Sequence, residues 1–284
     1  MQEKDEFLMS PKVDFAFKEV MQNEKALRGF LSAVMGLDVH KIKSTSIRNA
    51  NLHKIHEDEK QSILDVFLTM NDDTEIDIEI QLRSMKTWAE RSTFYLCKMI
   101  TDQPNINLSY SNIHKCVTIN LLDFHLFKDT EQFHSVFHLN EDQRHTRYTD
   151  ILELHVVELC KMPRVSDGTA LYDWMRFFTA TRREEFEMIA NSNEYLRAAV
   201  DQLEIISQDE QKRLEYTARQ KAIGDYNTLM RESREDGIEE GMAKGMEKGM
   251  EKGMAKGRAE LREEKIAEMR KLGFTEEQIK ALWG

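Results

Sequence analysis

Apolar residues recur along this chain with two different periods. Between Lys60 and Leu82 the run K-Q-S-I-L-D-V-F-L-T-M-N-D-D-T-E-I-D-I-E-I-Q-L has period two, which predicts two strands, 63–70 and 75–82, joined at Asn71-Asp72-Asp73. In the second, Ile76, Ile78, Ile80 and Leu82 share one face, and Glu75, Asp77, Glu79 and Gln81 share the other. A one-residue slip would send the isoleucines to the wrong face, so the pattern sets the register. Met70 then faces Thr74 across a loop of three residues, and Asp65 faces Glu79, with Gln81 two residues further along the same face.

Elsewhere the period is that of a helix. Ser10 and Pro11 are the expected cap and first residue of a helix that places Asp14 and Lys18 one turn apart. A second helix, 24–35, carries Leu27, Phe30, Leu31 and Val34 on one stripe and stops at Gly36. A strand is expected over 42–48. The segment 85–100 sets Met85, Trp88, Ser92, Tyr95, Leu96 and Met99 on a stripe suited to covering a sheet, and leaves Arg91 off it. Strands follow over 115–122 and 151–159, with a short candidate strand between them, and from Leu171 to about Arg234 the chain turns helical and charged. This order predicts an α/β domain with a helical C-terminal extension. The expected divisions are a core of 1–165, a helical extension of 166–236 and a tail of 237–284.

In the tail, glycine recurs every fourth residue from Gly237 to Gly257, beside a row of Met242, Met246, Met250 and Met254 and a row of Lys244, Lys248, Lys252 and Lys256. Each glycine costs about 1 kcal/mol relative to alanine in a helix, and the lysines repel one another, so the segment is marginal alone. Small-xxx-small spacing suits close helix packing, which would make a homo-oligomer; a low-complexity linker is the plain alternative. Beyond it, Gly273 stops one helix and Thr275 with Gln278 forms a capping box for the next.

Composition narrows the function. The 284 residues carry 51 acidic against 40 basic side chains, a net charge of −11, which argues against a general polyanion-binding surface. Contact with nucleic acid must then rest on a local basic patch or on an acidic cleft whose sign is reversed by a bound cation. Cys97, Cys116 and Cys160 form neither a zinc pattern nor a disulfide framework, and no signal peptide or membrane-spanning run is apparent, so a cytoplasmic protein is expected.

The chemistry concentrates at the hairpin. Cross-strand neighbours have Cβ atoms about 5 Å apart, so Asp65 opposite Glu79 is a like-charge clash unless a proton or a metal intervenes. Two carboxylates plus water suit Mg²⁺. The plain alternative is an amphipathic hairpin with a solvated polar face. The pairs His53/His56 and His134/His138 carry no third ligand close in sequence, and the second lies in a strand-like run, where residues four apart are distant; they are weak metal candidates.

An aspartate followed after a hairpin by Glu-x-Gln resembles the core of the PD-(D/E)XK nuclease superfamily, whose last position is usually lysine. The chain as a whole resembles the Rpn family of recombination-promoting nucleases, also described as transposases. The resemblance rests on D-F-A-F-K (14–18), K-Q-S-I-L-D-V (60–66), I-E-I-Q (78–81), R-S-T-F-Y (91–95), L-L-D-F-H-L-F (121–127), E-L-H-V-V-E-L-C-K (153–161) and the glycine-periodic tail. It implies a restriction-endonuclease-like mixed sheet flanked by helices and a Mg²⁺-dependent endonuclease acting on double-stranded DNA, with Mn²⁺ a substitute. Asp65, Glu79 and the Ile80 carbonyl would hold the metal, Gln81 would orient the attacking water, Asp14 would be an outer acidic member, and Lys18 and Arg91 would be phosphate contacts. Glutamine cannot take a proton or neutralise charge as lysine does. An alternative is therefore a catalytically silent nuclease fold acting through its tail, and a weaker one a true transposase, for which no DDE-type triad is apparent.

Overall fold

The computed structural model describes residues 7–48, 64–71, 73–103 and 109–283. They form two compact units, Met1–Gln220 and Lys221–Gly284. The first contains helices α1 (Asp14–Met21) and α2 (Glu24–Met35), strands β1 (Thr45–Ile47), β2 (Val66–Met70) and β3 (Thr74–Gln81), helix α3 (Trp88–Thr101), strands β4 (Lys115–Leu122), β5 (His134–Phe137) and β6 (Leu152–Glu158), and helices α4 (Ala170–Thr179), α5 (Arg183–Ala190) and α6 (Glu194–Gln208). Helix α7 (Glu210–Lys271) begins there, and α8 (Glu276–Trp283) ends the chain.

The six strands make one mixed sheet in the order β1-β2-β3-β4-β6-β5, with β3, β4 and β6 parallel and the remaining pairs antiparallel. Register in the β2–β3 hairpin follows the isoleucine face: Val66 pairs with Ile78 and Met70 with Thr74. Asn71 takes a left-handed φ of 54° in the turn. Its side-chain oxygen accepts from Lys43 N at 2.7 Å and its amide donates to Lys41 O at 2.9 Å, so the turn also anchors the chain entering β1.

One face of the sheet carries Ile76, Ile78, Ile80, Val117, Ile119 and Leu121, and α1, α2, α4, α5 and α6 pack on it in a single core. The helical residues expected to extend from the domain contribute Trp174, Phe177, Phe178, Phe186 and Leu203 to that core. Helix α2 is bounded as its caps predict: Asn23 accepts from Ala26 N at 3.1 Å, and Gly36 closes it in the left-handed region at φ 64°. It crosses α6 so closely that a Cβ on Gly29 would lie 2.2 Å from Tyr195 Cβ.

The first helix departs from expectation. Ser10 through Val13 form a turn, closed by Val13 N donating to Ser10 O at 3.1 Å, and α1 begins at Asp14 with no side-chain cap. Ser10 is committed elsewhere, because its N–H donates to the Tyr216 hydroxyl at 3.0 Å and Met9 N donates to Ser207 Oγ at 3.0 Å.

Among the described residues, the opposite face of the sheet is covered by α3, with Phe124, Leu126 and Phe127 beside it. Leu96 and Met99 pack on Phe67 and Cys116, and Trp88 packs on Leu122, Phe124 and Val156. The polar row of the hairpin is thus buried under a helix rather than bathed in water, and Glu75, Asp77 and Glu79 are each 5% exposed or less. The solvated-face alternative fails here.

In the second unit the tail is helical, with open space around Gly241, Gly245, Gly249 and Gly253 and with Met242 to Met254 exposed. Gly273 ends the helix at φ 89°, and Thr275 N donates to Gln278 Oε1 at 3.0 Å while Gln278 N donates back to Thr275 Oγ1 at 3.4 Å, the capping box that the sequence predicts. No helix among the described residues is long and apolar enough to cross a membrane.

Candidate active site

Asp65 lies one residue before β2, in a bend at the mouth of the sheet rather than inside the strand. The hairpin register carries it opposite Glu79. Asp65 N donates to Glu79 Oε1 at 3.1 Å, and Ile80 N donates to Asp65 Oδ2 at 3.1 Å, so the two carboxylates and the Ile80 peptide adjoin. The third contact comes from across the fold, where Lys18 Nζ of α1 lies 2.9 Å from Asp65 Oδ1. The packing of α1 causes this, because Ala16, Phe17, Val20 and Met21 are wholly buried and hold Lys18 on the side facing the strand ends.

A third carboxylate, Asp77, stands on the same face, two residues along β3. The alternation of the sequence puts it in the polar row beside Glu75 and Glu79 and does not single it out; in the fold it lies between Ile76 and Ile78 in a strand buried on both faces. It is 1% exposed, and its Oδ1 has no hydrogen-bond partner. Burial, and then the charges of Glu79 and Asp65, hold its proton well above the ordinary carboxylate range. Glu79 is pushed up to about 8, chiefly by burial and next by the Asp65 charge. Two cations oppose these effects, Lys18 and Arg91. The Arg91 guanidinium of α3 is held 5.4 Å from the Trp88 ring and 5.1 Å from the Tyr95 ring.

The remaining expected residues are placed as follows. Gln81, at the end of β3, donates from Nε2 to Arg83 O at 3.1 Å. Asp14 is the first residue of α1, one turn before Lys18, and its Oδ1 is buried without a partner. Lys12 binds Asp123 at 2.7 Å just beyond β4, and Asp123 N donates to Gln81 O at 3.0 Å, which puts a second lysine at the same end of the sheet.

The donor set suits a hard divalent cation. Two adjoining carboxylates, one of them holding its proton chiefly because it is buried and next because of the Asp65 charge, would bind such an ion by exchanging that proton for it. Among the described residues no three His, Cys, Asp or Glu side chains converge as a ready-made metal cage, so main-chain oxygen and water would complete the shell.

The histidine pairs do not compete with this site. His53 and His56 lie outside the described residues. His134 and His138 point to different partners: His134 Nε2 meets His155 Nδ1 at 3.0 Å, and His138 Nε2 meets Glu153 Oε2 at 3.2 Å. Burial, then the neighbouring His155, lowers His134 to about 4.

No curated protein and no solved structure matches the chain significantly. A family model described as PD-(D/E)XK nuclease family transposase matches residues 11–233, a span that runs from the residues before α1 into α7 and includes the whole sheet, Asp65, Glu79 and Lys18. A six-stranded mixed sheet flanked by helices, with an aspartate at the mouth of one hairpin strand and Glu-x-Gln on the other, is the matching architecture. On that span the chain belongs to the PD-(D/E)XK nuclease family transposases.

Proposed function

We propose that this protein is a Mg²⁺-dependent endonuclease that hydrolyses phosphodiester bonds of double-stranded DNA with little sequence preference, in the setting of recombination, mobile elements or defence. The observation that carries the reading is the junction of Asp65 and Glu79, with a carboxyl at Glu79 that holds its proton up to about 8. Asp65, Glu79 and the Ile80 carbonyl would hold the cation. When bound, Mg²⁺ polarises the phosphate and acidifies a water, with Mn²⁺ able to substitute. The chain's own groups do the rest. Gln81 orients the attacking water, Arg91 offsets charge beneath α3, and Lys18 and Lys12 line the end of the sheet where the backbone of DNA is received. Asp14 acts from α1 as an outer acidic group.

The acidic overall charge fits this reading, because the local cations and the bound metal make the cleft attractive to phosphate while the rest of the surface repels it. Supercoiled plasmid incubated with purified protein is nicked in Mg²⁺ or Mn²⁺ and untouched in chelator, and Asp65→Ala abolishes nicking; intact plasmid at every metal concentration refutes the proposal. A second reading, a silent nuclease fold that self-associates, is favoured by the exposed Met242, Met246, Met250 and Met254 row. Sedimentation of the full chain beside a variant with those four methionines changed to glutamine tests it, and equal masses dispose of it.

A further inference from the structure

The motif of this chain ends in Gln81 where the superfamily usually has lysine. Its Nε2 donates to Arg83 O at the strand exit. A glutamine there supplies no positive charge. An ammonium is nevertheless present at the site, and it arrives from another element: Lys18 Nζ, 2.9 Å from Asp65 Oδ1. We infer that Lys18, carried on α1, is a catalytic residue that supplies to the scissile phosphate the positive charge that the motif glutamine cannot. The inference rests on the proposed nuclease function and adds a residue to it.

Three observations support the assignment. First, position: an ammonium in contact with the carboxylate expected to hold the metal stands beside any phosphate bound at that carboxylate. Second, exposure: the Lys18 side chain is 36% exposed while that of Asp65 is 16% exposed, so the lysine lies on the open side of the pair. Third, comparison with the other cations: Arg91, whose charge also acts on Glu79, stacks on the Trp88 and Tyr95 rings of its own helix, and Lys12 is bound to Asp123, a residue outside the Asp65–Glu79 pair. Helix α1 is also rigidly seated, with Phe17 buried against Phe178 at 5.8 Å between ring centroids, so Lys18 is delivered by packing and not by a loop.

The chemistry needs no change in the protonation of Lys18. A water oxygen forms the new bond to phosphorus, the ester P–O bond breaks, the proton of the attacking water passes to solvent, and the departing oxygen takes a proton back from solvent. Negative charge grows on the non-bridging oxygens between these events, and Lys18 lies against it as a fixed cation. A divalent ion held at Asp65 would compete with the ammonium for that carboxylate, which would leave Lys18 to face the phosphate.

The test compares wild type, Lys18→Gln, Lys18→Arg and the double variant Lys18→Gln/Gln81→Lys. Single-turnover cleavage in Mn²⁺, duplex affinity in Ca²⁺ and Mn²⁺ affinity without DNA are measured on the full chain. Lys18→Gln cleaves on the order of 100-fold more slowly, binds duplex within about threefold of wild type because one phosphate contact is a small share of the total, and binds Mn²⁺ at least as tightly because a competing cation has gone. Lys18→Arg recovers part of the rate. The double variant recovers most of it, since Gln81→Lys places an ammonium on β3 two residues after Glu79. Undiminished Mn²⁺ affinity shows that the variants are folded. Cleavage by Lys18→Gln within about threefold of wild type, or a double variant no faster than Lys18→Gln, overturns the inference. A wild type that neither binds Mn²⁺ nor cuts refutes the nuclease reading instead.

Discussion

Replacing Glu79 with glutamine should make the metal-free protein more stable, and by an amount that depends on pH in a defined way. In the folded chain the carboxyl holds its proton up to about 8, against an ordinary 4.5, because it is buried and faces the Asp65 charge. The folded state therefore binds a proton that the unfolded state releases, and between those two values stability falls as pH rises. At about 1.4 kcal/mol per pH unit the fall is ~5 kcal/mol, complete above about pH 8 and absent below about pH 4.5. Glutamine, nearly isosteric with the protonated acid, removes that dependence. Urea unfolding in chelator at pH 5 and pH 8.5 is the assay: the wild-type midpoint drops steeply across the interval, and the Glu79→Gln midpoint drops by much less. Since the two charges also raise Asp77, the variant relieves that group as well. Parallel pH profiles for the two proteins would refute the argument, because they would mean that Glu79 is ionised and compensated without metal.

Other consequences can be checked on the same footing. Gly29→Ala would set a methyl group 2.2 Å from Tyr195 Cβ, and the forced separation of α2 from α6 should cost ~1–3 kcal/mol despite alanine's better helix propensity, read from the denaturant midpoint. Lowering pH from 6.5 toward 4 should destabilise the fold through His134, whose neutral form the folded state favours; after allowance for partial solvent screening the loss is ~2 kcal/mol, and His134→Asn should flatten that limb of the curve. Lys161 and Glu158 form an ion pair at 2.7 Å with side chains 2% and 1% exposed. Lys161→Met strands a buried carboxylate that also accepts from Leu126 N, and should cost ~3–5 kcal/mol in thermal or denaturant unfolding.

The parts of this molecule legible in the sequence are those fixed by local periodicity. Alternation through Ile76, Ile78 and Ile80 admits only one register, and the structure keeps it. The Asn23 and Gly36 caps bound α2 because each satisfies backbone groups within its own turn. What was hidden depends on distant packing. The apolar stripe of 85–100 marks a helix suited to covering a sheet, but nothing in the period of the Glu75–Asp77–Glu79 row reveals that this helix lies over that face, so a solvated face stays open as an alternative until α3 is packed there. Ser10 reads as a helix cap, but its backbone is claimed by Tyr216, 206 residues away. The His134–His155 contact joins residues 21 apart on neighbouring strands, invisible to any search for ligand spacing. The Lys18–Asp65 pair is hidden for the same reason: the lysine looks like half of a helical pair with Asp14 until α1 is packed beside the hairpin.

The claim on which the rest depends is that Asp65 and Glu79 form one divalent-cation site. Binding of Mn²⁺ to the DNA-free protein at pH 7, followed by electron paramagnetic resonance with simultaneous measurement of proton uptake or release, tests it most directly. The account predicts a specifically bound ion that competes with Mg²⁺, is lost in Asp65→Ala and displaces a proton from Glu79 on binding, with no such displacement in Glu79→Gln. Mn²⁺ binding that survives Asp65→Ala, or binding with the same proton release in Glu79→Gln as in wild type, would contradict it.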